Sequence, residues 1–316
     1  MLKFDHVSFS YPGMKQTVKD LSFEVHAGEV VAMIGSNGAG KSTVSRLANG
    51  LLRPDSGHVY VDGEDTGKVR TSEIAKKVGF LFQNPDRQIC QNTVREEIAF
   101  GPQVQGVAQD EIERRTEEML QTFELDGDWF PFTRSRGERQ RIALASVLAC
   151  NPELVILDEP TTGLDYRECI RIMDYITGLS FEKGLTVLMV SHDMELVQEY
   201  AQRVLVLTDG RLVDEGPTGR IMKDMSVLGQ AHVLPAQIPM LALRFGDKFS
   251  DVYTVEEMAE AIHREKTAKV IAMENNKSDA VSTEGIQGRG RKAADTNETG
   301  TGKKSGNEPD EKGARS

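Results

Sequence analysis

Several features are scarce in this sequence, and each one excludes a class of protein. The 316 residues contain no uninterrupted apolar segment approaching the ~20 residues that a membrane-spanning helix requires. No charged-then-apolar leader is predicted at Met1. The formal net charge of −11 argues against a nucleic-acid-binding surface. The three cysteines, Cys90, Cys150 and Cys169, are odd in number and lack metal-ligand spacing, which is typical of a reducing compartment.

A glycine-rich segment early in the chain fits the phosphate-binding pattern G-x-x-x-x-G-K-[ST] in full. An apolar run, Glu29 to Ile34, precedes the segment, and a helical pattern from Lys41 to Asn49 follows it. This order of strand, loop and helix is the context that the motif requires, whereas a simple glycine turn requires only the glycines. The candidate nucleotide-binding residues are Gly35, Ser36, Asn37, Gly38, Ala39, Gly40, Lys41, Ser42 and Thr43.

The residue types in this loop suit phosphate chemistry. Glycine adopts positive φ easily, so the backbone can wrap around phosphate oxygens. Successive N–H groups and the start of the helix then present partial positive charge to the anion. Lys41 is expected to contact the β- and γ-phosphates, and the Ser42 hydroxyl to bind Mg²⁺.

A second motif ends in two carboxylates. The apolar run Leu154 to Leu157 predicts a buried strand of a parallel sheet, and Asp158 and Glu159 follow it directly. Ligands of open α/β sheets bind at the carboxyl ends of the strands. We expect Asp158 to help hold Mg²⁺ and Glu159 to act as general base for the attacking water. The alternative for Glu159 is a loop-capping role before Pro160.

The motifs together carry a family resemblance. The phosphate loop, Gln83, the segment Ser135 to Gly137, the Asp158-Glu159 strand, and then Asp165 and His192 occur in one order along residues 1–216. In this order they resemble the ATP-binding subunit of an ABC transporter. The resemblance implies a head-to-tail dimer with ATP and Mg²⁺ at two sites. Each nucleotide would lie between the phosphate loop of one chain and Ser135 and Gly137 of the other.

The resemblance also implies roles for single residues. Tyr11 would stack on adenine, although it fits an ordinary strand aromatic as well. Gln83 would contact Mg²⁺ or the attacking water. Asp165 would organise the dimer interface, and His192 would hydrogen-bond the γ-phosphate.

One motif departs from the family pattern. The signature is commonly Leu-Ser-Gly-Gly-Gln, but here it is Arg134-Ser135-Arg136-Gly137-Glu138. A serine hydroxyl and a glycine at a helix start are retained. We therefore expect a competent half-site. The alternative is a weak signature in a mixed dimer whose partner supplies the better one.

The predicted fold class is α/β: a P-loop NTPase with a mainly parallel sheet, an antiparallel β subdomain, a helical subdomain and a small C-terminal helical appendage. The predicted domains are an ATP-binding domain at 1–216 with its helical subdomain at about 94–150, a C-terminal dimerisation region at 217–266 and a disordered polar tail at 267–316. Met258, Ala261 and Ile262 have helical spacing and pack either across that dimer or onto their own domain.

Two local features narrow the subfamily. The run from Gln83 to Pro102 and the segment after Gly216 resemble energy-coupling factor (ECF) transporter ATPases. That resemblance implies a second ATPase subunit, a transmembrane scaffold, a membrane substrate-binding protein for a vitamin or transition-metal ion, and no nucleic acid. It also implies a peripheral location on the cytoplasmic face of the membrane. We expect Glu96 and Glu97 either to face basic residues of the scaffold or to form a solvated helix start.

Other functions remain open at this stage. A soluble ABC ATPase for translation or DNA repair usually has two nucleotide domains or a long coiled coil, and this sequence has one phosphate loop and no heptad run. An ATPase of a different ABC transporter class is also compatible. An ATP-binding subunit without turnover would have lost Lys41 or Glu159, and both are present.

Overall fold

The computed structural model describes residues 1–13, 15–249 and 252–287. The strands in these ranges are β1 (Leu2–Ser10), β2 (Gln16–Val25), β3 (Val30–Ile34), β4 (Ser56–Val61), β5 (Glu64–Asp65), β6 (Val78–Leu81), β7 (Leu154–Asp158), β8 (Thr186–Val190), β9 (Arg203–Thr208) and β10 (Arg211–Pro217). The helices there are α1 (Lys41–Ala48), α2 (Thr71–Ile74), α3 (Val94–Gln105), α4 (Gln109–Thr122), α5 (Arg136–Ala149), α6 (Tyr166–Lys183), α7 (Met194–Tyr200), α8 (Thr218–Ile221), α9 (Met225–Gln230), α10 (Gln237–Phe245) and α11 (Val255–Gln287).

The central sheet has the order β10-β9-β3-β8-β7-β6, and its pairs are parallel except β9 with β10. Every residue of β3, β7 and β8 is buried, as expected of apolar strands covered on both faces. Asp158 pairs with Val190, and Val190 pairs with Met33. The carboxyl ends of these strands therefore meet at one edge, where the phosphate loop and the two carboxylates follow.

A second, antiparallel sheet has the order β2-β1-β4-β5. Its strands alternate buried and exposed residues, and the rings of Phe4 and Phe23 stack with centroids 4.6 Å apart. This sheet shares a hydrophobic core with one face of β3, whereas helices cover the opposite face. The predicted combination of a mainly parallel sheet with an antiparallel subdomain is confirmed.

Helices α3, α4 and α5 form the helical subdomain. Their buried residues Ile98, Met119 and Ile142 belong to the same core as the helix-covered face of the central sheet. Thr93 begins α3 with a reciprocal capping box to Glu96, and Ser135 begins α5 with the same arrangement to Glu138. These caps satisfy backbone N–H groups that would otherwise lack partners, so both helix starts are well defined.

The described residues divide into two units, one from Met1 to Met258 and one that begins at Ala259. Met258 is buried. Helix α11 reaches Gln287, so 267–287 is helical where the sequence analysis predicts a disordered tail. The reason is propensity: α11 has no proline and no glycine before Gly285, and alanine, glutamate and lysine are frequent in it. Residues 288–316 of the predicted tail lie outside the described residues. No helix in the described part of the chain is long and apolar enough to cross a membrane.

Candidate active site

The phosphate loop connects β3 to α1 in a conformation that depends on glycine. Gly35, Gly38 and Gly40 have φ values of 150°, 85° and 100°. A Cβ on Gly35 would lie 2.2 Å from the carbonyl oxygen of Leu207, a contact that no side chain can make. The loop therefore needs glycine both for its positive φ values and for its close approach to β9.

Lys41 bridges this loop from inside. Its Nζ donates hydrogen bonds to the carbonyl oxygens of Gly35 at 2.7 Å and Ser36 at 3.1 Å. Burial lowers the pKa of Lys41, and the nearby carboxylates of Glu159 and Asp158 oppose that shift. The ammonium is thus a buried donor held beside two acidic groups, as a phosphate-binding lysine should be.

Asp158 is the last residue of β7 and is buried. Its burial raises the pKa of the carboxyl group, and Glu159 adds to the rise, whereas a hydrogen bond from Ser42 and the charges of Arg46 and Lys41 lower it. The carboxylate is therefore incompletely compensated within the protein, which favours an additional cation at this place.

Glu159 has a strained backbone. Its φ is 56°, in the left-handed region that residues other than glycine rarely adopt. Its N–H donates to the carbonyl oxygen of Val190 at 2.9 Å, and this bond ties the turn to β8. The side chain is buried, and Oε2 lies 2.6 Å from Nδ1 of His192. Strain of this kind is held by surrounding structure and is common at functional sites.

A cavity of about 240 Å³ gathers most of the predicted residues. Gln83 lies in its lining together with predicted residues from two other parts of the chain: Asn37, Gly38, Gly40, Lys41, Ser42, Thr43, Asp158 and Glu159. The hydroxyl of Ser42, the carboxylate of Asp158 and the amide of Gln83 offer oxygen ligands. Hard cations such as Mg²⁺ prefer these ligands, so the donor set fits the predicted Mg²⁺.

Tyr11 lies beside the start of α1. Its hydroxyl is 3.4 Å from the Thr43 hydroxyl and accepts a hydrogen bond from Arg46 at 3.4 Å, and its ring meets Phe9 edge-on. The ring therefore lies on the same side of α1 as the phosphate loop residue Thr43. Stacking on adenine stays a prediction.

Ser135, Gly137 and Asp165 do not line this cavity. Ser135 and Asp165 are exposed and begin α5 and α6, respectively. A Cβ on Gly137 would lie 2.7 Å from the Gly163 carbonyl oxygen, so the first turn of α5 packs tightly on the loop before α6. Ser135 and Asp165 thus lie on the surface outside this cavity, whereas Gly137 is buried against the loop before α6.

Glu96 and Glu97 differ: Glu96 is exposed at the start of α3, as one of the two predicted alternatives requires, whereas Glu97 fits neither alternative. Glu96 completes the capping box of Thr93, and Glu97 is buried. Oε2 of Glu97 accepts hydrogen bonds from the backbone N–H groups of Cys90 at 2.9 Å and Gln91 at 2.8 Å. The expectation that Glu97 faces a partner or solvent is therefore wrong, because its carboxylate anchors the segment that follows Gln83.

Sequence reasoning missed three residues near the site. Thr17 and Val190 line the cavity, and Arg46 bonds Tyr11 and lowers the pKa of Asp158. Arg46 was detectable, because it lies four residues after Ser42 on the same face of α1. Thr17 gives no sequence signal, since only the packing of β2 on the loop brings it there.

Comparisons with known proteins show the family of this chain. The ABC transporter family matches residues 18–162. An energy-coupling factor transporter ATP-binding protein of Methanothermobacter thermautotrophicus is 42% identical over 264 residues, which cover 81% of this chain and 85% of that protein. A protein of Caldanaerobacter subterraneus, named as an ABC transporter ATP-binding protein, is 40% identical over 260 residues. The chain spans only 45% of that relative's length.

Solved structures of ABC ATPases have a similar fold. CbiO1 of Clostridium perfringens, part of the ABC transporter complex CbiONQ, is 28% identical with a TM-score of 0.65, covering 78% of this chain and 98% of that one. An ATP-binding cassette solved as a dimer in a post-hydrolysis state with ADP and Pi is 30% identical with a TM-score of 0.64, covering 69% of this chain and 99% of the other.

Proposed function

Because this chain belongs to the ATP-binding proteins of ABC transporters, a family of ATPases that power transport, we propose that it binds and hydrolyses ATP to energise an ECF-type importer. The observation that carries the proposal is the single cavity that joins Lys41, Asp158, Glu159 and Gln83. A buried lysine, an incompletely compensated carboxylate and a second carboxylate are the groups that phosphoryl transfer to water requires.

The residues divide the chemistry among them. Lys41 and the N–H groups of the phosphate loop bind the phosphates. Ser42, Asp158 and Gln83 would hold Mg²⁺, which would supply charge stabilisation at the transferring phosphoryl group. Glu159 orients the attacking water and accepts its proton. His192 holds the Glu159 carboxylate through the 2.6 Å contact and contacts the γ-phosphate when nucleotide is present.

We propose a head-to-tail dimer as the working assembly. Ser135 and Asp165 are exposed outside the cavity of their own chain, so they are available to a second chain, whereas Gly137 is buried and packs the first turn of α5 behind Ser135. The similar cassette solved as a dimer with ADP and Pi supports this arrangement. ATP then favours the closed dimer because its γ-phosphate contacts both chains, and hydrolysis removes that contact and reopens the dimer.

The ECF assignment rests on the relatives. The alignment with the energy-coupling factor relative covers 81% of this chain and 85% of that protein, and CbiO1 is part of an ABC transporter complex. We propose that the second ATPase is a copy or a close relative of this chain, that residues 217–266 contribute to their pairing, and that a transmembrane scaffold and a membrane substrate-binding protein complete the importer. The chain is then peripheral on the cytoplasmic face of the membrane, and the cargo is a vitamin or transition-metal ion.

Two experiments test the proposal. Membrane extraction through a tag on this chain should recover integral subunits, and recovery of ribosomes or DNA would favour the soluble ABC ATPase instead. The purified complex should hydrolyse ATP in a Mg²⁺-dependent reaction. Glu159→Gln should abolish turnover and leave ATP binding intact, whereas Glu182→Gln, at the exposed end of α6, should change neither.

A further inference from the structure

The signature helix α5 is tied to the segment after Gln83 in the same chain. Nε of Arg139 lies 2.7 Å from Oδ1 of Asp86, an ion pair whose atoms lack the alignment of a hydrogen bond. Nη1 of Arg139 donates to the carbonyl oxygen of Arg134, the residue directly before Ser135. Arg139 thus contacts both the Gln83 segment and the start of α5.

A second contact joins the same two elements. Nε2 of Gln88 donates to the Ala143 carbonyl oxygen at 2.7 Å and to the Ser146 hydroxyl at 3.2 Å. Its Oε1 accepts from the N–H of Phe82 at 3.4 Å, next to Gln83. The middle of α5 is therefore fixed to the Gln83 segment through Gln88. Arg139 is the contact that, among the described residues, reaches the Ser135 end of the helix.

These contacts connect two surfaces with different roles. Gln83 lines the nucleotide cavity of its own chain, whereas Ser135 lies outside that cavity. We propose that Arg139 is a positioning residue that transmits the position of Gln83 in one ATP site to Ser135, which the same chain presents to the opposite site. This inference rests on the proposed dimer.

The physical basis is a short chain of polar contacts. Asp86 lies three residues after Gln83, and the N–H of Arg139 donates to the Ser135 carbonyl oxygen at 3.0 Å. When Gln83 moves toward bound nucleotide, Asp86 moves with it and draws the Arg139 guanidinium and the Arg134 carbonyl. Coupling of this kind requires that the two nucleotide states favour different positions of Gln83.

An ordinary surface ion pair is the competing explanation. Exposed pairs contribute little to stability, and the side chain of Asp86 is 47% exposed. The two explanations differ in where the loss should appear. A positioning role predicts a loss of ATPase rate at the opposite ATP site. A stabilising role predicts the same loss whichever chain of the dimer carries the Arg139 variant.

The test uses complexes purified through two tags, so that each ATPase dimer contains one Glu159→Gln chain and one active site. That active site combines Glu159 of one chain with Ser135 of the Glu159→Gln chain. Arg139→Gln on the Glu159→Gln chain should lower kcat about fivefold, the loss expected from one partly exposed ion pair. The same change on the chain with intact Glu159 should leave kcat within about twofold. KM for ATP should not change in either case.

Asp86→Asn should reproduce the loss at the same position, and combining it with Arg139→Gln should add no further loss. Arg114→Gln, which removes an exposed ion-paired arginine of α4, is the matched control and should have no effect. Equal kcat losses on both chains, or no loss on either, would overturn the inference. Failure of the proposed function looks different: the unmodified complex itself would hydrolyse no ATP.

Discussion

His192 and Glu159 form a contact of 2.6 Å between Nδ1 and Oε2 at the ends of two neighbouring strands. The side chain of Glu159 is buried, whereas the imidazole side chain of His192 is 74% exposed. The imidazole of His192 is therefore largely open to solvent, while its Nδ1 contacts the buried carboxylate of Glu159. The resemblance implies a γ-phosphate contact for His192, and the structure adds a direct contact with Glu159, from which we propose that His192 also orients the general base.

His192→Ala should lower kcat of the complex about 10- to 100-fold with a smaller change in KM, because a misoriented base loses its proton-transfer contribution. His192→Gln retains a donor at similar length and should recover part of the rate. Steady-state ATPase kinetics of both variants check this. A kcat of His192→Ala equal to that of the unmodified complex would contradict the role.

Asp158→Asn should separate stability from function. The pKa of Asp158 lies above its usual 3.8 because burial disfavours the charge. The neutral carboxyl group of Asp158 therefore stabilises the folded state below pH 3.8, and this stabilisation is lost as the pH rises through the folded-state pKa. At pH 7 the neutral asparagine should raise the free energy of unfolding by about 1 kcal/mol without ligands.

Thermal unfolding with and without Mg²⁺ and ATP completes that test. The ligands should raise the Tm of the unmodified chain and have much less effect on Asp158→Asn. A variant that is less stable than the unmodified chain in ligand-free buffer at pH 7 would show that Asp158 is compensated within the protein.

Two glycines of the phosphate loop provide a matched pair. An added Cβ at Gly35 meets the Leu207 carbonyl oxygen at 2.2 Å, whereas at Gly38 nothing lies within 4 Å. Gly35→Ala should cost at least about 3 kcal/mol, and Gly38→Ala about 1 kcal/mol from its positive φ alone. Urea unfolding measures both, and equal costs would mean that β9 yields to the methyl group.

The neighbouring residues Glu96 and Glu97 should behave differently. Glu97→Ala leaves two backbone N–H groups without their acceptor and should cost about 2–4 kcal/mol. Glu96→Ala removes half of an exposed capping box and should cost about 0.5–1 kcal/mol. Chemical unfolding compares the two variants. If Glu97→Ala were as stable as Glu96→Ala, the burial of that carboxylate would have no energetic importance.

Much of the site could be predicted because its motifs are local. The pattern from Gly35 to Thr43 determines a strand-to-helix loop from neighbouring residues alone, and the run ending at Asp158 identifies the sheet edge. Glu97 and Arg139 could not be assigned in this way. Their partners lie 6 and 53 residues away, at Gln91 and Asp86, and packing rather than periodicity brings them together. For α11, the polar composition of the tail predicts disorder after residue 266, whereas its helix propensity predicts the helix that the structure has up to Gln287.

Ser135 needs a variant that separates capping from its proposed role at the opposite nucleotide. Its Oγ accepts from the Glu138 N–H at 3.2 Å, and its own N–H donates to the Glu138 carboxylate at 2.7 Å. Ser135→Ala would remove the cap and lower the free energy of unfolding by about 1 kcal/mol. A lower ATPase rate of that variant could then reflect lost stability as well as a lost nucleotide contact. Ser135→Asp keeps a favoured cap residue and adds a negative charge.

The free energy of unfolding of Ser135→Asp should stay within about 0.5 kcal/mol of the unmodified chain, because aspartate and serine cap helices similarly. ATPase activity of the complex should fall at least about tenfold, since a carboxylate facing the phosphates of the opposite site opposes closure. Ser135→Gly removes the hydroxyl at a capping cost of a few tenths of a kcal/mol, so its remaining activity reports the hydroxyl alone. Unchanged ATP turnover in Ser135→Asp would mean that this signature segment, which differs from the usual family sequence, does not contact nucleotide. The signature segment of the second ATPase would then form the active site that hydrolyses ATP.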